Sequence, residues 1–404
     1  MKVAERRPPG MAQTAIEVRA KRGRPLGLTP AAFLRDHWQK HPLLIRGAFP
    51  HFHKAITPED LAGLACEESA LARIVLRDAR RERWTLRNGP FREADFARLP
   101  KTRWTLLVQD VDKWDADVAA LLDEFAFLPA WRVDDIMVSY ATDGGGVGPH
   151  IDNYDVFLVQ GRGRRRWRIS TDANAPRGLR DDADLKLLET FAPTHDWTLE
   201  PGDVLYLPPG VPHEGTAVGD CITYSVGMRA PSAAELVIDL AESVAEPLDE
   251  RQRYTDADLS PVRNAHEIDT AAIRRVAATL SALRGLDDTA LRTWFGRFIT
   301  RYRSTHEAAP AARSLSSKKL AARLPNARVV RNPWSRTAWS PLGLRAELFV
   351  AGERFVCSRA IAQLLAGRRE FDGAEFARRA KASDLEVLAG LIDAGHFALA
   401  RRRR

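Results

Sequence analysis

GVGPHIDNYDVFLVQ, residues 146–160, sets His150 and Asp152 two positions apart just ahead of an apolar run. In a strand or at its exit, residues i and i+2 share a face, so both side chains can reach one metal ion. A second stretch, PGDVLYLPPGVPHEG at 201–215, adds His213 after a turn, an apolar strand and a Pro-Pro-Gly bend. Two imidazoles and one carboxylate on one side of a metal, with other positions open, form the donor set of non-haem Fe(II) oxygenases. A His-x-Asp pair alone means little in a chain with ten histidines. Its company gives it weight: glycines crowded before His150, a strand-rich surround, and His213 in a second turn-and-strand context. His150, Asp152 and His213 are therefore the expected metal ligands and catalytic centre.

Around these stretches lie candidate strands IMVSYA (136–141), VFLVQ (156–160), RRWRIS (165–170), DVLYLP (203–208) and ITYSVGM (222–228). Turns such as Asp143-Gly144-Gly145-Gly146 and Pro201-Gly202-Asp203 punctuate them. Many short strands with regular turns predict a β barrel or sandwich, with a double-stranded β-helix the natural candidate. Upstream, Thr29 can cap a helix with Pro30 at its first position, carrying Phe33, Leu34 and Trp38. PLLIRG (42–47) reads as a strand, and Thr57-Pro58 opens a second helix. RIVLR, RWTLR near Asn88-Gly89, and TLLVQ read as strands with a hairpin.

The pattern changes after Arg229. Ser232 and Glu235 form a capping box, followed by Leu236, Leu240 and Val244 at helical spacing. Helices are also expected over 269–284 and 287–303, the latter with Trp294, Phe295 and Phe298 as a helix interface. A linker from Ala308 to Ser317 precedes VVRNPW, ELFVAGERFVC, SRAIAQLLAG and DLEVLAGLIDAG, a mixture that predicts a small winged-helix-like domain. The expected division is thus a disordered basic extension (1–27, with translation starting at Met1 or Met11), a catalytic β domain (28–230), a helical domain (231–307) and the winged-helix-like domain (308–404).

At 404 residues the chain exceeds one compact core. No apolar run is long enough for a bilayer and the N-terminus has no secretory apolar core, so no membrane partner and a cytoplasmic location are expected. Three cysteines, Cys66, Cys221 and Cys357, share no ligand spacing, which excludes zinc ribbons and disulfide frameworks. The net charge of +8 is compatible with direct nucleic-acid contact, although basic tails carry much of it. His37, His41, His51 and His53 follow no compact ligand rule, and His195, His266, His306 and His396 stand alone; none is expected to bind metal.

GGGVGPHIDNYDVFLVQGRGRRRW, LEPGDVLYLPPGVPHEG and YSVGMRAP resemble the bacterial JmjC ribosomal oxygenases, which are ribosomal protein arginine hydroxylases. The resemblance runs from about Thr29 through Arg229 and continues more weakly to the C-terminus. It implies an α+β protein: a jelly-roll JmjC cupin core, then a helical dimerisation domain and a winged helix, with a homodimer as the assembly. It also implies Fe(II), 2-oxoglutarate as co-substrate and O₂. The target would be an arginine of a large-subunit ribosomal protein, hydroxylated at its β-carbon.

2-Oxoglutarate needs a cation for its distal carboxylate. The run Arg162-Gly-Arg164-Arg165-Arg166-Trp-Arg168 offers five, and alternation puts Arg165 on the face opposite Arg164 and Arg166. The resemblance selects Arg165, with Ser139 and Ser225 as further hydroxyl contacts. For the substrate it implies Asp135 against the guanidinium, with Met137 and Tyr154 along the stem. Two alternatives stay open at this point. The same chemistry could act on histidine, asparagine, a methylated side chain or RNA, or the chain could be a non-catalytic cupin and winged-helix module that binds nucleic acid.

Overall fold

The computed structural model describes residues 16–401 except 51, 53–55, 82, 183, 250, 252, 258–269, 281–285 and 302–307. The chain forms two compact units, one ending at Ala230 and one starting at Pro231. Among the described residues no helix is long and apolar enough to cross a membrane.

The first unit is built on ten strands: β1 (Glu17–Arg19), β2 (Leu43–Arg46), β3 (Ala72–Asp78), β4 (Arg83–Asn88), β5 (Trp104–Val108), β6 (Val133–Ala141), β7 (Val156–Ile169), β8 (His195–Leu199), β9 (Val204–Leu207) and β10 (His213–Met228). Their order is β1-β2-β9-β7-β10-β6-β5-β3-β4, with β8 alongside the far half of β7. This is the double-stranded β-helix that the turn pattern predicts. Thr29 accepts from Ala32 N at 3.2 Å with Pro30 at the first helical position, and Thr57 and Asp60 close a capping box.

Three expectations need correction. VFLVQ and RRWRIS are one continuous strand, β7, and ITYSVGM is the far half of β10. β7 runs through Gly161 and Gly163 antiparallel to β10, and the ladder absorbs the irregularity as a register shift between Val218 and Ile222. The β3–β4 hairpin turns at Asp78–Arg81, ahead of the predicted Asn88-Gly89, with Asp78 Oδ1 accepting from Arg80 N. Residues 16–27 are not a disordered extension. Leu44 N donates to Ile16 O at 2.8 Å and Ala20 N to Arg46 O at 2.9 Å, adding β1 parallel to β2, and Leu26 is buried. Main-chain pairing at a sheet edge leaves no side-chain period to read. The rest of the predicted extension, residues 1–15, lies outside the described residues.

Alternation divides the β unit into two apolar regions. Phe157, Val159, Val204, Tyr206, Ile136, Val138, Ile222 and Tyr224 face one side, where the Pro30–Asp36 helix packs with Phe33. Val156, Leu158, Trp167, Ile169, Leu205 and Leu207 face the other. The period of two thus sends Met137, Ser139, Thr223 and Ser225 to the second face, in register: Ser225 is opposite Met137 on one side and Leu158 on the other.

The second unit carries helices Ala233–Ala245, Thr270–Thr279 and Asp288–Thr300, then β11 (Ala327–Arg331), β12 (Thr337–Leu342), β13 (Arg345–Val350), β14 (Glu353–Ser358), β15 (Glu370–Asp372) and β16 (Phe397–Arg401) in two three-stranded sheets. Ser232 and Glu235 form their predicted capping box. The Asp288–Thr300 helix lies directly on the β12–β14 sheet: Gly296 abuts the Phe349 ring, and Thr293 donates to Glu347 at 3.0 Å. That helix therefore packs with the C-terminal sheet, so the division expected at 307/308 does not separate it from that domain.

Candidate active site

β10 begins at His213, and its main chain bridges to His150. His150 N donates to His213 O and His213 N to His150 O, each at 3.0 Å. The two rings sit 4.2 Å apart, and Asp152 Oδ2 comes to 3.6 Å from His213 Nε2. One ligand atom from each of His150, Asp152 and His213 falls within 4.8 Å of the others, and among the described residues no other such group occurs.

The tautomers are fixed by the main chain. His150 Nδ1 donates to Gly148 O and His213 Nδ1 to Val211 O, both at 2.9 Å, which leaves each Nε2 lone pair for a metal. Burial, then the neighbouring His150, holds the His213 pKa below its ordinary value, so the ring is held in the neutral, ligating form. Two neutral imidazoles and a carboxylate, partly open to a cavity, fit a divalent metal with free positions.

That cavity has a volume of about 380 Å³. The triad, Arg165, Ser139, Ser225, Asp135, Met137 and Tyr154 all line it, so the predicted site residues are brought together without exception. Arg165 is 3% exposed while Arg164 and Arg166 point to solvent, as alternation requires. Its guanidinium donates to Ser139 Oγ at 3.2 Å and Gly215 O at 3.3 Å and stands 5.0 Å from the Trp167 ring centre. Gly215 makes this approach feasible, since a Cβ there would fall 2.6 Å from Arg165 Nε. Among the described residues no carboxylate pairs with this guanidinium, and its Nε has no partner. A buried cation held only by neutral groups is costly unless an anion joins it.

Asp135 is half-buried on the cavity wall. Burial, then the charges of Asp110 and Asp134, push its carboxyl up to about 7, while Asp110 N donates to its Oδ2 at 3.1 Å. Met137 is half-buried, and Tyr154, 42% exposed, stands at the rim. Burial, then the Asp152 charge, raises the Tyr154 hydroxyl above its ordinary range.

Some contributors were not singled out in sequence. Thr223 lines the cavity and donates to Gln160 Oε1 at 3.1 Å. Arg73, Gln109 and Lys186 add polar groups to its wall. Asp155, beside the metal motif and assigned no role there, is fully buried and accepts from Tyr206, Gln39 and Arg132 at 2.6, 3.0 and 3.0 Å, anchoring the segment that carries Asp152. Nothing in its sequence position foretells partners more than twenty residues away.

The JmjC domain family matches residues 120–236, and the ROXA-like winged helix family matches residues 279–398. An AraC-like ligand binding domain also matches, over residues 194–321. The ribosomal protein uL16 3-hydroxylase of Escherichia coli K12 is 39% identical over 278 residues, 69% of this chain and 73% of that protein. The chain belongs to the JmjC ribosomal oxygenase family. A crystal structure of the E. coli ribosomal oxygenase YcfD aligns with this oxygenase at TM-score 0.81 and 33% identity, over 93% of this chain and 99% of the other. A second YcfD structure, in complex with cobalt and 2-oxoglutarate, aligns at TM-score 0.78 over the same shares. The His150–Asp152–His213 cluster of this oxygenase has the donor composition such enzymes use for non-haem iron.

Proposed function

We propose that this oxygenase hydroxylates an arginine of a large-subunit ribosomal protein at its β-carbon, with Fe(II), 2-oxoglutarate and O₂. The observation that carries the reading is Arg165: a buried guanidinium without a carboxylate partner among the described residues, lining the same cavity as the His-Asp-His cluster. His150, Asp152 and His213 would hold the iron. Arg165 takes the distal carboxylate of 2-oxoglutarate, with Ser139 fixing the guanidinium and Ser225 adding a hydroxyl to the same wall. When bound, iron and co-substrate together supply O₂ activation, with 2-oxoglutarate converted to succinate and CO₂.

The protein's part is placement and exclusion of water. Asp135 offers a carboxylate to a substrate guanidinium, and Met137 and Tyr154 flank its aliphatic stem. A pocket for a neutral side chain has little use for a half-buried acid beside Asp110 and Asp134, which favours arginine over histidine or asparagine. The E. coli relative is named a uL16 3-hydroxylase, so uL16 is the first substrate to try, in the cytoplasm where ribosomes assemble. Dimerisation goes with the second unit, where Leu236, Val237, Leu240, Leu291, Trp294 and Phe295 line an apolar groove of about 550 Å³.

The test is incubation with Fe(II), 2-oxoglutarate and uL16 peptides, read by mass spectrometry. A gain of one oxygen localised to one arginine supports the proposal. Succinate formation with no modified arginine on any peptide overturns the substrate assignment.

A further inference from the structure

Gly148 lies two residues before the first metal-ligand candidate with φ of +83°, a left-handed conformation that suits glycine. The side of its Cα where a side chain would stand is closed off. A Cβ built there would stand 3.0 and 3.2 Å from two indole carbons of Trp84 and 3.1 Å from Leu187. The residue has one consequential atom, Gly148 O, which accepts the Nδ1–H of His150 and so sets that ring's tautomer and tilt.

Trp84 comes from β4 and does not line the cavity, whereas Leu187 does. Its ring is itself braced, with the Arg77 and Arg180 guanidiniums 5.4 and 5.5 Å from its centre. Among the described residues its buried Nε1 has no hydrogen-bond partner, so the ring surface and not the polar tip accounts for its place. The segment bearing Leu187 is tied to the metal motif, since Leu188 N donates to Pro149 O at 2.8 Å. Arg180 N closes that segment onto Leu187 O at 2.9 Å.

We infer that Trp84 is a positioning residue for the metal site: with Leu187 it backs the Cβ-facing side of Gly148, whose carbonyl orients the His150 imidazole. It touches neither metal nor substrate. The inference rests on the proposed iron site, so its test reads metal binding and not turnover.

Co(II) is the probe, titrated into the purified full-length protein and followed by its visible d–d absorption. Trp84→Ala should weaken Co(II) binding by roughly 10- to 100-fold, the range for lost outer-shell partners, and shift the band positions. Trp84→Phe, which keeps an aromatic face against Gly148, should restore most of both. Gly148→Ala should act as Trp84→Ala does, because its Cβ presses on the same ring. Should Trp84→Ala not fold, Trp84→Leu takes its place with the same expectation. Wild-type affinity and an unshifted spectrum in the Ala or Leu variant, alongside a lowered Tm, would make Trp84 ordinary packing and overturn the inference. Failure of the wild-type protein to bind Co(II) would instead sink the metal site itself.

Discussion

His150 and His213 are joined by reciprocal main-chain hydrogen bonds of 3.0 Å, although they lie on segments separated by three strands' worth of sequence. The two imidazoles thus owe their adjacency to backbone, not to each other's side chains. His150→Ala and Asp152→Ala should therefore keep the frame while losing the ligand. Succinate formation should drop by more than about 100-fold, beyond what loss of an outer-shell partner costs. The Tm of the metal-free protein should stay within about 5 °C. Turnover near wild type in either variant would reject the assignment of the metal ligands.

Arg165 separates binding from folding. Arg165→Met removes a buried cation that no described carboxylate compensates, so the metal-free, co-substrate-free protein should be no less stable and could be more so. Co-substrate affinity should fall by about 2–5 kcal/mol, roughly 30- to several-thousand-fold. Isothermal titration of 2-oxoglutarate into the metal-loaded protein measures it. Unchanged affinity would return Arg165 to a structural role.

Asp135 gives a pH dependence with a definite sign. Its carboxyl in the folded protein is pushed up to about 7, above the ordinary value of 3.8, so the native state favours the protonated form. The stability it contributes is full at pH below that ordinary value and is lost as pH rises through 7. Relative to Asp135→Asn, the wild type should therefore lose Tm between pH 5 and pH 8. Over the same interval its KM for an arginine peptide should fall, because only the carboxylate pairs with guanidinium. A Tm difference that is flat across this range would show Asp135 to titrate normally.

Gly227 sits against Asp135, where a Cβ would come to 3.3 Å of its Oδ1. Gly227→Ala should displace that carboxylate and lower kcat/KM for the peptide by about 10-fold, well short of the roughly 100-fold that a 1 Å misplacement can cost. Peptide-independent consumption of 2-oxoglutarate should not change. Equal losses in both reactions would place the damage at the metal instead.

In the second unit, Leu291→Asp puts a charge into the groove shared with Leu236, Val237 and Trp294. On the proposed dimerisation through this groove, light scattering should show a dimer for the wild type and a monomer for this variant, with oxygenase activity per chain still measurable. A dimer that persists would move the interface elsewhere.

Sequence reading named residues that the fold gathers around one cavity, and it misjudged more of the framing. His150, Asp152 and His213 were read from spacing and context, and alternation set Arg165 apart from Arg164 and Arg166, because a strand's period of two survives whatever the strand packs against. The resemblance, not the spacing, picked out Arg165 for the co-substrate and Asp135, Met137 and Tyr154 for the substrate. Segmentation failed at residues 161–164, the gap left between the predicted strands VFLVQ and RRWRIS, since the ladder passes through it. β1 was missed because what defines it is main-chain pairing with β2. Asp155 and Trp84 were missed because their significance lies in partners distant along the chain, which no local pattern encodes.

β10 carries His213 at its first residue and Gly227, the neighbour of Asp135, one residue before its last. A single ruler therefore spans from a candidate metal ligand to the neighbour of the proposed substrate carboxylate. Slipping it by one residue would turn both ends to the wrong face together. Misassembly should consequently be silent in every assay at once, and a preparation's metal content should count the fraction of molecules whose whole barrel closed correctly.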